Sequence, residues 1–174
     1  MSATTEPSPG HEARGALELR AGELRLAVRA DLGGSIAGFW HRGTPILRST
    51  EPDLLAGSRQ SACYPLVPYS NRLAYRRFRW KSRDYTTVAN FDDNPHSVHG
   101  VGWLRVWERL SHGDGEIVLR YRHTPDEHWP FAFDSQQSFA LTPHSLVVQL
   151  SITNTAEIEQ PVGLGWHPYF PKRE

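Results

Sequence analysis

The chain has little cysteine, no long apolar run and no surplus of charge, and each shortage removes a class of function. One cysteine, Cys63, in 174 residues rules out an internal disulfide framework. No stretch approaches the roughly 20 apolar residues that a membrane-spanning helix needs, so no membrane partner is expected. Nineteen basic side chains balance nineteen acidic ones, which removes the overall positive field that gathers nucleic acid. A neutral or weakly charged ligand fits this balance better. The opening MSATTEPSPG has neither the basic start nor the apolar centre of a secretory signal, so residues 1–15 are expected to form a flexible tail on a cytoplasmic protein. Helical periodicity is scarce as well. The nearest thing to a helix is Glu51 to Ser58, too short to carry an architecture.

What is present is alternation. With 39% hydrophobic and 11% aromatic residues the chain can fill one sizeable core. ALELRAGELRLAVRADLGGSIAGFWHRGTPIL switches between apolar and polar residues and is punctuated by glycines, which predicts three short strands joined by turns. CYPLVPYSNRL holds two prolines and is expected to be a loop or strand end rather than a central ladder strand. RRFRWKSRDYTTV predicts a hairpin turning over Lys81 to Asp84. LRVWERL and IVLRYRHT predict another, in which Gly113 and Gly115 supply the positive-φ positions. FAFDSQQSFAL, LVVQLSITN and PVGLGWHPYF continue the series as strands of about eight to ten residues. The fold class predicted is all-β, an antiparallel β-sandwich occupying residues 16–174 as one domain. It would finish on the apolar strand PVGLGWHPYF with its edge uncovered, which makes the domain look incomplete and invites self-association through that edge.

Three polar sites stand in apolar settings. His167, in GWHPYF, is biased toward extended backbone by Pro168, and Gly163 and Gly165 permit close approach of a ligand or another chain segment. Trp166, Tyr169 and Phe170 add flat apolar surface of the kind on which sugar rings stack. The stretch fits either a proton-transferring histidine or a histidine buried in an aromatic strand. Asn71 and Arg72 close the run PLVPYSNR, where Arg72 can grip oxygen ligands or tie a loop to a carbonyl. His99 precedes Gly100 in PHSVHGVGW, where backbone is open to a ligand. His96 and His99 form an H-x-x-H pair, but in extended chain that offset sends the side chains to opposite faces, and no metal is expected. Phosphate loops and nucleophile elbows are absent from the sequence. His11, His41, His112, His123, His128 and His144 fall in the tail or near turns and are assigned to solvated surface.

Taken together, PLVPYSNR, PHSVHGVGW and GWHPYF resemble the aldose 1-epimerase (galactose mutarotase) family, in particular its bacterial branch, from about Leu24 onward. The resemblance implies a large β-sandwich and interconversion of the α and β anomers of a hexose, with a monosaccharide as partner and no cofactor. By that resemblance His167 is the acid that protonates the ring oxygen. His99 joins it in the catalytic pair and, with Arg72, holds sugar hydroxyls and the ring-oxygen region. Asn71 fixes the loop or touches the ligand, and Tyr169 shares the face of His167. The family's general base, a glutamate, and a sugar-binding aspartate come from beyond the GWHPYF segment. Glu157, Glu159 and Glu174 lie in no matching context, so the resemblance implies the acid half of a site without its base and an impaired catalyst. Two alternatives accompany this reading. One is a carbohydrate-binding sandwich without catalysis; the other is an epimerase for a phosphorylated hexose, with Arg76, Arg77, Arg79 and Arg83 as candidate phosphate ligands or merely a solvated face.

Overall fold

The computed structural model describes residues 16–172; the expected N-terminal tail lies outside the described residues. Fourteen strands are found within that range: β1 (Ala16–Ala21), β2 (Leu24–Arg29), β3 (Ser35–His41), β4 (Thr44–Pro45), β5 (Cys63–Leu66), β6 (Arg72–Leu73), β7 (Arg77–Trp80), β8 (Arg83–Thr86), β9 (Ser97–Val98), β10 (Glu108–Gly113), β11 (Glu116–His123), β12 (Phe133–Leu141), β13 (Leu146–Asn154) and β14 (Gly165–Pro168). One sheet runs β1-β2-β3-β5-β14 with β4 appended to β3, and a second runs β10-β11-β12-β13. The small pairs β6-β9 and β7-β8 stand apart from both. Every strand pairing is antiparallel. Among the described residues no helix is long and apolar enough to cross a membrane.

The two large sheets enclose one core, so the expected antiparallel β-sandwich is the fold. Leu17, Leu19, Leu26, Val28 and Ile36 enter it from one side, and Ile117, Leu119, Phe133 and Phe139 from the other. The cause is the two-residue period: along β11 and β12 every second side chain is buried while its neighbours face outward. Each large apolar side chain that leaves water in this way contributes about 1.5–3 kcal/mol. The reverse face of the first sheet is also covered over part of its extent, where Ala27, Ala37 and Trp40 pack with Leu55. That covering segment is not helical beyond two single turns, Pro52–Leu54 and Ser58–Gln60.

The structure corrects several local expectations. Cys63–Leu66 is no loop: all four residues are buried, in a strand between β3 and β14. The ladder geometry explains how it holds a proline. Tyr169 N–H donates to the Ala62 carbonyl at 2.9 Å. Alternation along the β5-β14 register then makes Tyr64–His167 and Leu66–Gly165 hydrogen-bonded pairs, and Cys63–Pro168 and Pro65–Trp166 the non-bonded ones. Both prolines therefore sit where this ladder asks for no N–H. On its other side β5 meets β3 only at Cys63–Ile36, so Pro65 interrupts nothing there. The hairpin β7-β8 turns over Lys81 and Ser82 alone, both at positive φ. Between β10 and β11, Gly115 alone has positive φ, at 85°, whereas Gly113 belongs to the strand. The last strand, β14, has four residues rather than eight to ten.

Candidate functional site

The site is built on the face of β5 and β14 that points away from the sandwich core. His167 on β14 and Tyr169 just after its end share that face, their rings 4.6 Å apart, while Trp166 points the other way and packs on the core near Phe139. Register places Tyr64 of β5 opposite His167, and the two rings stack at 4.8 Å with their planes 17° apart. Trp103 lies beyond Tyr64, at 5.7 Å. Burial, followed by the neighbouring Tyr169 hydroxyl, pushes the Tyr64 pKa upward. The Arg48 guanidinium covers the Tyr169 ring at 3.8 Å while donating to the carbonyls of Arg59 and Ser61. Cys63, which alternates to the core side, has its thiol pushed up to about 12 by burial and takes no part in the site.

His99 comes from a different segment. β6 and β9 pair through Arg72–Val98 and Leu73–Ser97, and continuing that register by one step brings Asn71 opposite His99. There the His99 N–H donates to the Asn71 carbonyl at 2.7 Å, and the Asn71 N–H donates to His99 Nδ1 at 3.1 Å. The ring nitrogen thus stands where a backbone carbonyl would close the ladder. Asn71 and His99 both have left-handed backbone, φ 60° and 63°, which Asn and His tolerate better than most side chains. Gly100 follows at φ 69°, and a Cβ there would lie 2.2 Å from the Val67 carbonyl oxygen. The loop closes against the end of β5 only because that position is glycine.

The rings of His99 and His167 meet edge to face at 5.2 Å. With Nδ1 accepting a hydrogen bond, neutral His99 carries its proton on Nε2 and is a donor there. Burial, then His167 and Arg72, lower the His99 pKa to about 4, so it is neutral at physiological pH. His167 Nδ1 is buried and has no hydrogen-bond partner among the described residues. Arg72 is exposed, with no side-chain hydrogen bond or ion pair among the described residues, and is close enough to act on the charge of His99. A cavity of about 530 Å³ opens beside Tyr169, lined by Ser58, Arg59, Gln60, Phe91 and Trp103. The arrangement sets a neutral imidazole with a free Nε2–H against a second imidazole, with an exposed guanidinium near them, while the cavity beside Tyr169 is lined by none of the three.

The aldose 1-epimerase family model matches residues 15–174. The chain belongs to the aldose 1-epimerase family. A curated protein of similar sequence, the uncharacterized protein YphB of Escherichia coli K12, is 40% identical over 153 residues, which is 88% of this chain and 51% of that protein. A crystal structure from Escherichia coli K12 superposes with a TM-score of 0.81 at 38% identity, covering 90% of this chain and 52% of that one. A galactose mutarotase-like protein from Clostridium acetobutylicum gives a TM-score of 0.72 at 20% identity, over 87% of this chain and 49% of its own, and shares the fold. The chain thus spans about half the length of the curated relatives it matches.

Within this epimerase-family sandwich His167, His99, Asn71 and Tyr169 come together, with Arg72 at the rim. Not every residue expected near a ligand does. Trp166 faces the core, Phe170 is 69% exposed, and Gly163 has nothing within 4 Å of where its Cβ would be. Arg76, Arg77, Arg79 and Arg83 are exposed on or beside the β7-β8 hairpin, where Arg79 approaches Asp84 at 3.6 Å. His123 is not on the surface. It is 4% exposed, with Nδ1 paired to the Tyr121 hydroxyl and Nε2 to the Trp129 carbonyl. Its position on β11, in phase with Ile117, Leu119 and Tyr121, was the available signal. Tyr64 was missed as a partner of His167 because CYPL carried no expectation of being a paired strand.

Proposed function

We propose that this chain binds a hexose with its anomeric carbon beside the paired rings of His99 and His167 and takes part in interconverting the α and β anomers. The convergence of the two imidazoles, 5.2 Å apart and drawn from separate segments, carries the reading. Opening the ring requires a proton to reach the ring oxygen as the bond from that oxygen to the anomeric carbon breaks, while the anomeric hydroxyl loses its proton. His167 supplies the first proton. His99 Nε2–H donates to a sugar oxygen without itself titrating near neutrality, and Arg72 and Asn71 bind hydroxyls at the mouth. Rotation about the first carbon–carbon bond of the open aldehyde, then closure from the other face with both protons returned, gives the other anomer.

The anomeric hydroxyl needs a base, and among the described residues no carboxylate pairs with His99, His167 or Arg72: His99 is bonded to Asn71, and His167 Nδ1 has no partner. We therefore assign the acid half of the reaction to these residues and expect the 174-residue chain alone to fall short of a complete epimerase by about 10²- to 10⁴-fold. The same observation favours, as the second reading, a chain that binds sugar without turning it over. Polarimetry of freshly dissolved α-D-glucose and α-D-galactose, beside His167→Ala, tests both. Full acceleration abolished by the substitution would contradict the missing base. Sugar binding without acceleration would support the second reading, and neither binding nor acceleration would overturn both.

A further inference from the structure

The residues that touch His99 do not explain why its loop holds two successive left-handed residues. Asn90, nine positions earlier, does. Its Oδ1 accepts from the Val98 N–H at 2.7 Å, and its Nδ2 donates to the Val98 carbonyl at 2.9 Å and to the Gly100 carbonyl at 3.0 Å. One side chain thus bonds the backbone on both sides of His99 and spends both donors and the amide oxygen doing so. The orientation of the amide is fixed by chemistry: the reverse assignment would set NH₂ against the Val98 N–H and oxygen against two carbonyls. None of these bonds reaches His99 itself, whose own N–H and Nδ1 are committed to Asn71.

We infer that Asn90 is the positioning residue of His99, a three-point clamp that holds the Val98–Gly100 backbone in the left-handed turn that sets the His99 ring against His167. Without it the turn keeps only the ladder to Asn71 and a 3.3 Å bond from the Trp103 indole N–H to the Val98 carbonyl, against the cost of a non-glycine residue at φ 63°. An alanine leaves two carbonyls and one N–H without these partners, and the turn relaxes toward backbone that histidine prefers. Its consequence for sugar binding rests on the proposed role of His99; the clamp itself does not.

The test follows the imidazole of His99 by NMR in the ¹⁵N-labelled 174-residue chain. In the wild type it titrates near 4, because burial, His167 and Arg72 disfavour the cation. In Asn90→Ala the ring swings toward water, the midpoint rises by at least about one pH unit toward the ordinary 6.5, and the Asn71 amide resonance shifts as its bond to Nδ1 is lost. Ser135→Ala removes a hydrogen bond to the Ser151 carbonyl in the other sheet and serves as the destabilised control, lowering the melting temperature with His99 unchanged. A folded Asn90→Ala chain with the wild-type His99 midpoint overturns the proposal. Should that variant not fold, hydrogen exchange of the wild type decides: a protected Val98 amide supports the clamp and a freely exchanging one overturns it. Galactose binding, expected to weaken about tenfold in Asn90→Ala, is read separately. A wild type that binds neither galactose nor glucose sinks the sugar-binding reading, while the His99 titration still decides the clamp.

Discussion

The imidazole of His167 lies against the ring of Tyr64, centroids 4.8 Å apart and planes 17° from parallel, because neighbouring strands set the two residues directly opposite each other. Tyr64 is 2% exposed and is itself backed by Trp103, so the histidine rests on a fixed aromatic floor. Removing the floor leaves a cavity. Tyr64→Ala is expected to cost about 3–5 kcal/mol in denaturant unfolding, whereas Tyr64→Phe keeps the ring and costs far less. The His167 ring protons, shifted by the tyrosine ring current, should keep their positions in the phenylalanine variant alone. Equal loss in both variants would show that the hydroxyl, not the stacking, matters.

Two glycines separate backbone strain from steric clash. Gly43 and Gly100 have nearly the same conformation, φ 76° and 69°, but a Cβ at Gly43 meets nothing within 4 Å, while one at Gly100 meets the Val67 carbonyl oxygen at 2.2 Å. Gly43→Ala should therefore lose only the left-handed term, about 1–2 kcal/mol. Gly100→Ala must also push the His99 loop away from β5, and it should lose more stability and show a displaced His99 resonance. Thermal unfolding of the two variants side by side checks the difference.

Arg72 offers the reverse case, a residue expected to matter for ligand and little for folding. Its exposed side chain makes no ion pair or hydrogen bond among the described residues, so Arg72→Ala should change stability by no more than about 0.5 kcal/mol. Under the proposed function the same variant weakens hexose binding, measured by calorimetry. A large drop in stability would instead make Arg72 a structural tie.

Alternation made the sandwich legible. In β11 and β12 each buried residue is followed by a more exposed one, and a two-residue period is visible without any knowledge of partners. Where the partner decides the outcome, the sequence misled. CYPL reads as a proline-broken loop until β14 is known to run alongside it in a register that leaves Pro65 unbonded. His123 sits near a turn in sequence, yet it falls in phase with a buried face and finds both its hydrogen bonds there. For the site, the three motifs named His99, His167, Asn71 and Arg72, but the supports, Tyr64 and Asn90, were hidden. Their roles depend on register across a ladder and on a side chain bonding backbone eight and ten residues away, and neither has a local signature.

Two imidazoles, the half-buried His99 and the buried His123, make stability depend on acid. In the folded chain His99 has its pKa lowered to about 4, chiefly by burial. His123 is lowered as well, with burial the largest cause, opposed by its bond to the Trp129 carbonyl and by Asp126, and aided by Arg105 and His128. A histidine whose folded pKa lies below its unfolded value binds fewer protons when folded, so stability rises with pH across the interval between them. The contribution is complete above about 6.5, the unfolded value, and for His99 it is lost as the pH falls from there to about 4. Carboxylates paired in the fold, such as Asp126 beside Arg105, lose stability lower down, as pH falls below the ordinary carboxylate range. Melting temperatures between pH 7 and pH 4.5 should therefore drop before the carboxylates titrate. His99→Gln and His123→Gln remove a titrating ring without adding charge, and each should flatten that part of the profile, the pair more than either alone. His123 is bonded on both ring nitrogens within the core, so its variant should also melt lower at pH 7. His99→Gln should change the slope with a smaller loss at neutral pH, and an unchanged slope in both variants would mean that neither histidine is held neutral by the fold.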